Sequence, residues 1–501
     1  MDRDLRMVNR VRFESRSQHV HLPRHPGLRP APSCRSSPIA TLTPRRAAAA
    51  DSVHASLIPS ACPDDELATH SRRDPYWDRL WAPGSQATWS NRPLLQQRKE
   101  AKPSSVNARY LMDENEALRL LTINQGRRER LAAWGAIDSW RTVSAEQLAA
   151  ITGSRLFLNS ASSNLAASIS LYLLDVGTYS APGVSEAALD RNCLYRPCNS
   201  ETFDKLIAPE LTWPEWISVT GGYPWSGGGQ YDRHNVLSTE LALRAAEYLP
   251  IGAVLGEKFS TVDLLAGTGL GKKMKNPDNR RADGPIVRTD GLRIAYELTA
   301  TASRSLENKV RRWAQLISER PLETSGLTVV FIAAPHPDRP KDRSGDPRHE
   351  IYRRVAAVLK EFPGTGADSP AARIGIAAWD EWFPGRHELS EDFFTLSADF
   401  ALNNVHGPGK WVKRELLGDY RFTPWQTFDA TAVVDHAPLL AATPHWMRTG
   451  DRTHLIGSPM DRTGATAPVP APVRPELSRG RPLGKGTGTA GDAKLPPRLR
   501  L

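Results

Sequence analysis

The stretch Ala282-Asp283-Gly284-Pro285-Ile286-Val287-Arg288-Thr289-Asp290-Gly291-Leu292-Arg293-Ile294-Ala295-Tyr296-Glu297-Leu298 reads as two short strands, Pro285–Arg288 and Leu292–Leu298, joined by Thr289-Asp290-Gly291. Loop length decides which side chains share a face, because a one-residue slip of register turns every side chain over. A two-residue loop would set Asp283 opposite Leu298. A three-residue loop, a type I turn with Gly291 in the left-handed position, sets Ile286 against Ile294, Gly284 against Tyr296 and Asp283 against Glu297. This second register gathers Ile286, Leu292, Ile294 and Tyr296 on one face, and it is the expected one. It brings two carboxylates within about 5 Å between their Cβ atoms. Such a pair suits Mg²⁺, which binds through one or two carboxylates plus waters and phosphate oxygens.

Upstream, a helix starting near Asn235 or Ser238 carries Leu241, Ala245 and Leu249, and a strand is expected around Ala253 to Phe259. Downstream come a helix over Ser305 to Ser318 and an apolar strand over Leu327 to Ala333. The order is α-β-β-β-α-β. Leu306, Val310, Trp313 and Ile317 form the apolar stripe of the downstream helix, and Lys309 falls on or beside its sheet-facing side. The candidate catalytic set is therefore Asp283 and Glu297 as metal ligands, with Lys309 as the cation that steadies charge developing on a phosphate.

Before this segment, Leu118, Leu120, Leu121, Leu131 and Trp134 sit at helical spacings in a charged background. Ser144 followed by Gln147 makes a capping box, with Val143 and Leu148 as its hydrophobic staple, so a short helix starts there and stops at Gly153. A second helix carrying Leu165, Ile169, Tyr172 and Leu173 is expected to run to Gly177, giving the helix-turn-helix rhythm of a winged-helix domain. Its span from Ser160 to Leu174 holds no Lys or Arg, which leaves the preceding Arg155 as the nearest phosphate contact. A helix so composed suits packing against protein better than entering a groove.

Three motifs in the central part, Ala282-Asp283-Gly284-Pro285, Tyr296-Glu297-Leu298-Thr299 and Ser305-Leu306-x-x-Lys309-Val310-x-x-Trp313, together resemble the replication-relaxation family of actinobacterial plasmids and integrating elements. Tyr231-Asp232-Arg233-His234-Asn235 is a looser match, and the likeness covers about residues 112–400. The resemblance implies a winged-helix first half, a PD-(D/E)xK nuclease-like second half, and a role in plasmid replication, DNA relaxation or transfer. DNA is the implied partner, with a relaxase or other replication and transfer proteins beside it. A nuclease of this fold carries a lysine two residues after the glutamate, where this chain has Thr299, so the only substitute is Lys309 on the helix.

Composition places the charge. The 501 residues carry a net charge of +10, but residues 1–50 contribute +7 and residues 459–501 contribute +5, which leaves the middle at −2. Basic ends of this kind hold nucleic acid through phosphate neutralisation, or serve only as solubilising linkers. Residues 1–105 and 459–501, rich in Pro, Arg, Ser and Gly, read as disordered tails. Within the first, Asp74-Pro75-Tyr76-Trp77-Asp78-Arg79-Leu80-Trp81 reads as a short anchor docking on the folded part. Four cysteines give no disulfide framework, and Cys193 and Cys198 have only His234 nearby as a further zinc ligand, so structural thiols are expected. The glycine-rich run Thr261 to Lys273 lacks the Walker pattern because Ala266 and Lys273 stand where Gly and Ser or Thr are needed. Its Lys272 and Lys273, with Lys275, are candidate contacts to a DNA backbone. A mean hydropathy of −0.44 and the lack of a long apolar run argue against membrane insertion, and the few, irregularly spaced cysteines make the reducing cytoplasm the expected compartment.

The expected organisation is an all-α or α+β winged-helix domain over 112–205, an α/β restriction-endonuclease-like domain over 230–400, a C-terminal extension over 401–458, and the two tails. The expected function is a DNA-associated accessory protein of plasmid or mobile-element replication, relaxation or transfer, non-catalytic or weakly active. The alternative is a metal-dependent DNA endonuclease of the PD-(D/E)xK type.

Overall fold

The structure, a computed structural model, describes residues 52–78, 80, 85–101, 110–159, 162–180, 193–198, 201–228, 232–260, 281–321, 324–335, 347–364, 366–404, 407–421 and 432–448. The elements in the first part of the chain are β1 (Ser52–His54), β2 (Gln86–Ser90), α1 (Arg92–Ala101), α2 (Glu114–Thr122), α3 (Arg127–Trp140), β3 (Val143–Ser144), α4 (Ala145–Thr152), α5 (Ser163–Ser170), β4 (Leu174–Ser180) and β5 (Cys193–Pro197). Four of these strands form an antiparallel sheet in the order β2-β4-β5-β3. Helix α4 starts on the expected capping box: the Gln147 N–H donates to Ser144 Oγ at 3.1 Å, and the Ser144 N–H donates to Gln147 Oε1 at 3.2 Å. It ends at Gly153, whose φ of +75° suits glycine. The second helix is shorter than expected. It stops at Ser170, Tyr172 takes a φ of +58°, and the buried Leu174 and Val176 continue as strand β4. Gly177 therefore lies in that strand opposite Trp89, whose indole would meet a Cβ there at 2.9 Å.

The described residues between 52 and 101 are not a disordered tail. Strand β1 pairs with β11 (Glu388–Ser390), and β2 pairs with β4. Arg72 and Asp74, both buried, meet α7 (Asp232–Tyr248), which follows α6 (Trp213–Thr220). There Arg72 contacts Glu240 at 3.2 Å and Glu247 at 3.3 Å, while Asp74 accepts from Arg244 at 2.8 Å. Tyr76 stacks on Trp379, and the Trp77 indole donates to Phe383 O at 3.1 Å, so the anchor docks over its described part, Asp74 to Asp78. Apolar periodicity gives no warning of this because the segment docks through buried ion pairs together with scattered core side chains, Ala55, Leu67, Tyr76 and Leu95 among them, rather than through a regular stripe. Residues 1–51 and 449–501 lie outside the described residues.

The second part of the chain comprises β6 (Ala253–Val254), β7 (Gly284–Val287), β8 (Arg293–Thr299), α8 (Arg304–Glu319), β9 (Leu327–Ala333), α9 (Pro347–Leu359), β10 (Ile374–Ala378), β11, β12 (Ser397–Asn404) and β13 (Gly407–Glu415). Seven strands make one mixed sheet in the order β13-β12-β10-β9-β8-β7-β6, with β8, β9 and β10 parallel and the other pairs antiparallel. The fold is thus mixed α/β. Helix α8 lays Leu306, Val310, Trp313 and Ile317 against Ala295, Val329, Phe331 and Ile374 on one sheet face. On the other face Ile294, Tyr296 and Val330 share a core with Leu241 and Ala245 of α7 and with Trp140 and Leu148 of the first part. Strand β6 is shorter than expected: at Gly256 a Cβ would stand 2.5 Å from the Ser139 carbonyl oxygen, and the chain turns there into a 3₁₀ segment, Glu257–Phe259.

The boundary expected at residue 400 falls inside β12, which pairs with both β10 and β13, so the sheet continues to Glu415. Residues 432–448 return to the first part, where Ser218 donates to Leu439 O at 2.8 Å and the Trp140 indole donates to Ala442 O at 3.0 Å. Among the described residues no helix is long and apolar enough to cross a membrane.

Candidate functional site

The β7–β8 hairpin takes the three-residue loop. The Arg288 N–H donates to Leu292 O at 2.9 Å, Gly291 has a φ of +88°, Ile286 pairs with Ile294, and Gly284 pairs with Tyr296. Regular pairing ends at Gly284, and Asp283 sits in a bend just before it. Its N–H donates to Tyr296 O at 3.0 Å, its Oδ2 accepts the Leu298 N–H at 2.6 Å, and its carbonyl accepts from Ser238 Oγ of α7 at 2.8 Å. Glycine at 284 makes the bend feasible, since a Cβ would run into the Tyr296 phenol.

Glu297 points from β8 toward α8, with its side chain 2% exposed. Lys309 Nζ donates to Oε2 at 2.6 Å, and the Trp313 indole N–H donates to Oε1 at 2.9 Å. The two donors are four residues apart on α8 and so lie one above the other on its face. Lys309, 39% exposed, still reaches solvent. His234 Nδ1, in the first turn of α7, stands 4.0 Å from Asp283 Oδ2.

Burial pushes the Glu297 carboxyl up, Lys309 opposes it and the charge of Asp283 adds to it, leaving the group at about 7. For Asp283 burial also pushes upward, but Lys309, His234 and the Leu298 N–H outweigh it and hold the carboxyl below its usual range. Burial would lower Lys309, yet facing Glu297 and Asp283 it is held above its ordinary value.

A fourth group, unmarked by any periodicity, belongs to this neighbourhood. Glu257, in the 3₁₀ segment after β6, has its carboxyl raised by burial and then by the charge of Asp283, against Arg141, Arg281 and Lys309. Beside it Lys258, drawn down to about 8 by burial against the pull of Asp138, makes a buried contact to that carboxylate on α3. Nothing in the local sequence distinguishes Glu257 from a strand-end glutamate. Trp313 reads in the sequence as a core residue only, and its donor role appears once Glu297 is seen beneath it.

The fit to Mg²⁺ is poor. The ion would meet a competing cation, because the Lys309 ammonium already sits on Glu297 Oε2 while the Trp313 indole donates to Oε1. Among the described residues no group of three or more His, Cys, Asp or Glu side chains stands where it would hold a metal ion. Cys62, Cys193 and Cys198 are free of disulfides.

Of the residues expected to touch DNA, Lys272, Lys273 and Lys275 lie outside the described residues. Arg155, in the 3₁₀ segment Arg155–Leu158, is taken up by Asp64, bonded twice at 2.6 Å, and by Glu66 at 2.8 Å. Those acids lie some ninety positions earlier in the chain, and only the docking of residues 52–78 brings them there. Helix α5 buries Leu165, Ala167 and Ile169, the Trp134 indole donates to Ser168 Oγ at 3.0 Å, and Arg92 donates to Ser170 O at 2.6 Å. It packs against protein. Compared with protein-family models, with curated proteins and with solved structures, the chain matches none.

Proposed function

We propose that this chain is a DNA-associated accessory protein of plasmid or mobile-element replication, relaxation or transfer, built as a winged-helix module followed by a PD-(D/E)xK nuclease-like domain and non-catalytic or weakly active. The order α3-β3-α4-α5-β4-β5, with β3 beside β5 and β5 beside β4, supports the winged-helix part of the reading. The order α7-β6-β7-β8-α8-β9, with β8 parallel to β9, supports the nuclease-like part. The observation that carries weak or absent catalysis is the Lys309 ammonium seated 2.6 Å from Glu297 Oε2, where it competes with a metal ion for the same oxygen.

The test is binding of duplex and single-stranded DNA by fluorescence anisotropy across a salt series, with and without residues 1–50 and 459–501, and strand cleavage with Mg²⁺ or Mn²⁺ in parallel. The expected result is salt-dependent binding, most of it lost with the basic ends, and little or no cleavage. Full-length protein that fails to bind DNA refutes the reading. The convergence of Asp283, Glu297 and Lys309 at one end of β7 and β8 favours a second reading, a metal-dependent DNA endonuclease. Robust cleavage lost in Asp283→Asn, Glu297→Gln and Lys309→Ala would establish it in place of the first.

A further inference from the structure

We infer that Lys309 is a built-in cation that keeps a divalent metal ion out of the Asp283–Glu297 pair. The inference rests on the same carboxylates as the nuclease-like reading above and assigns them a regulation of their own.

Two buried carboxylates at one sheet end need a positive charge, and the chain supplies it. The Lys309 ammonium is seated 2.6 Å from Glu297 Oε2, while the Trp313 indole fixes the other oxygen at 2.9 Å, so the carboxylate is held by α8 on both sides. Asp283 is fixed separately by the backbone N–H of Leu298 at 2.6 Å. The ammonium occupies Glu297 Oε2, one of the oxygens a metal ion would use. A divalent ion would have to shed water, displace the ammonium from Glu297, and then share a small space with it. The lysine offsets one of the two negative charges without dehydrating an ion, and α8 holds it there, since its neighbours Leu306, Val310 and Trp313 are anchored in the core. Removing only that charge should turn a closed ion pair into an open pair of carboxylates.

The test is titration of the full chain with Mn²⁺ alone, without DNA, followed by calorimetry and by counting free Mn²⁺ from its electron paramagnetic resonance signal. It compares wild type, Lys309→Met and Lys309→Gln, each with and without Glu297→Gln. Wild type should show no site that depends on Glu297. Either Lys309 variant should gain one Mn²⁺ site at least about tenfold tighter than any in wild type, with a metal-dependent rise in Tm, and the added Glu297→Gln should remove both. Two results overturn the inference: a wild-type site that Glu297→Gln abolishes, or Lys309 variants that stay folded and bind Mn²⁺ no better than wild type. Failure of the wild type to bind DNA would sink the functional reading while leaving this result intact.

Discussion

Glu297→Gln, measured as a function of pH, isolates the electrostatic state of the buried carboxylate. The folded value of about 7 stands above the ordinary 4.5, so the proton is bound more tightly in the folded chain. The stability it contributes is fully present below about pH 4.5 and is lost as pH rises through about 7. Each pH unit between the two values is worth about 1.4 kcal/mol, which makes the whole effect about 3 kcal/mol. Glutamine is nearly isosteric with the protonated acid and carries no charge. The stability of Glu297→Gln minus that of wild type, from urea unfolding followed by circular dichroism, should therefore rise by about 2.5 kcal/mol between pH 5 and pH 8.5. His387 and His445 are held below their ordinary values, first of all by burial, and they favour the folded state as pH rises through their unfolded value, the opposite sign. They are common to both proteins and cancel in the difference. A flat difference would refute the dominance of burial at Glu297. With the series extended into acid, a difference that falls as pH rises from about 3 to about 4.5 would mean that Lys309 holds the carboxyl below 4.5 instead.

Asp74→Ala should cost about 3–5 kcal/mol, because it strips a buried partner from Arg244 inside a cluster whose side chains are essentially unexposed; thermal unfolding of the full chain checks it, and a loss under about 1 kcal/mol would return residues 52–81 to the status of a loosely attached segment. Gly284→Ala should destabilise by about 1–3 kcal/mol, since its Cβ meets the buried Tyr296 phenol. The same change should weaken the Asp283 bend, seen as faster hydrogen exchange at the Leu298 amide, while an unchanged exchange rate would show that the bend does not depend on glycine.

The sequence by itself determined the local structure around the site. Alternation in Ile286, Ile294 and Tyr296, with Gly291 able to take a positive φ, was enough to select the three-residue loop, because register and turn geometry are short-range properties. The capping box at Ser144 and the stripe Leu306, Val310, Trp313 and Ile317 are legible for the same reason, and that stripe is what puts Lys309 beside Glu297. Tertiary structure decided everything that depends on charges meeting across long chain separations. Arg72 and Asp74 find Glu240, Glu247 and Arg244 about 170 positions away, which makes part of a tail-like segment into core. Arg155 meets Asp64 and Glu66, and Glu257 comes under the charge of Asp283 after the turn at Gly256. The physical reason is that apolar burial leaves a period in the sequence, whereas a buried ion pair leaves none: its partners are defined only by where the folded chain brings them and by the water it excludes.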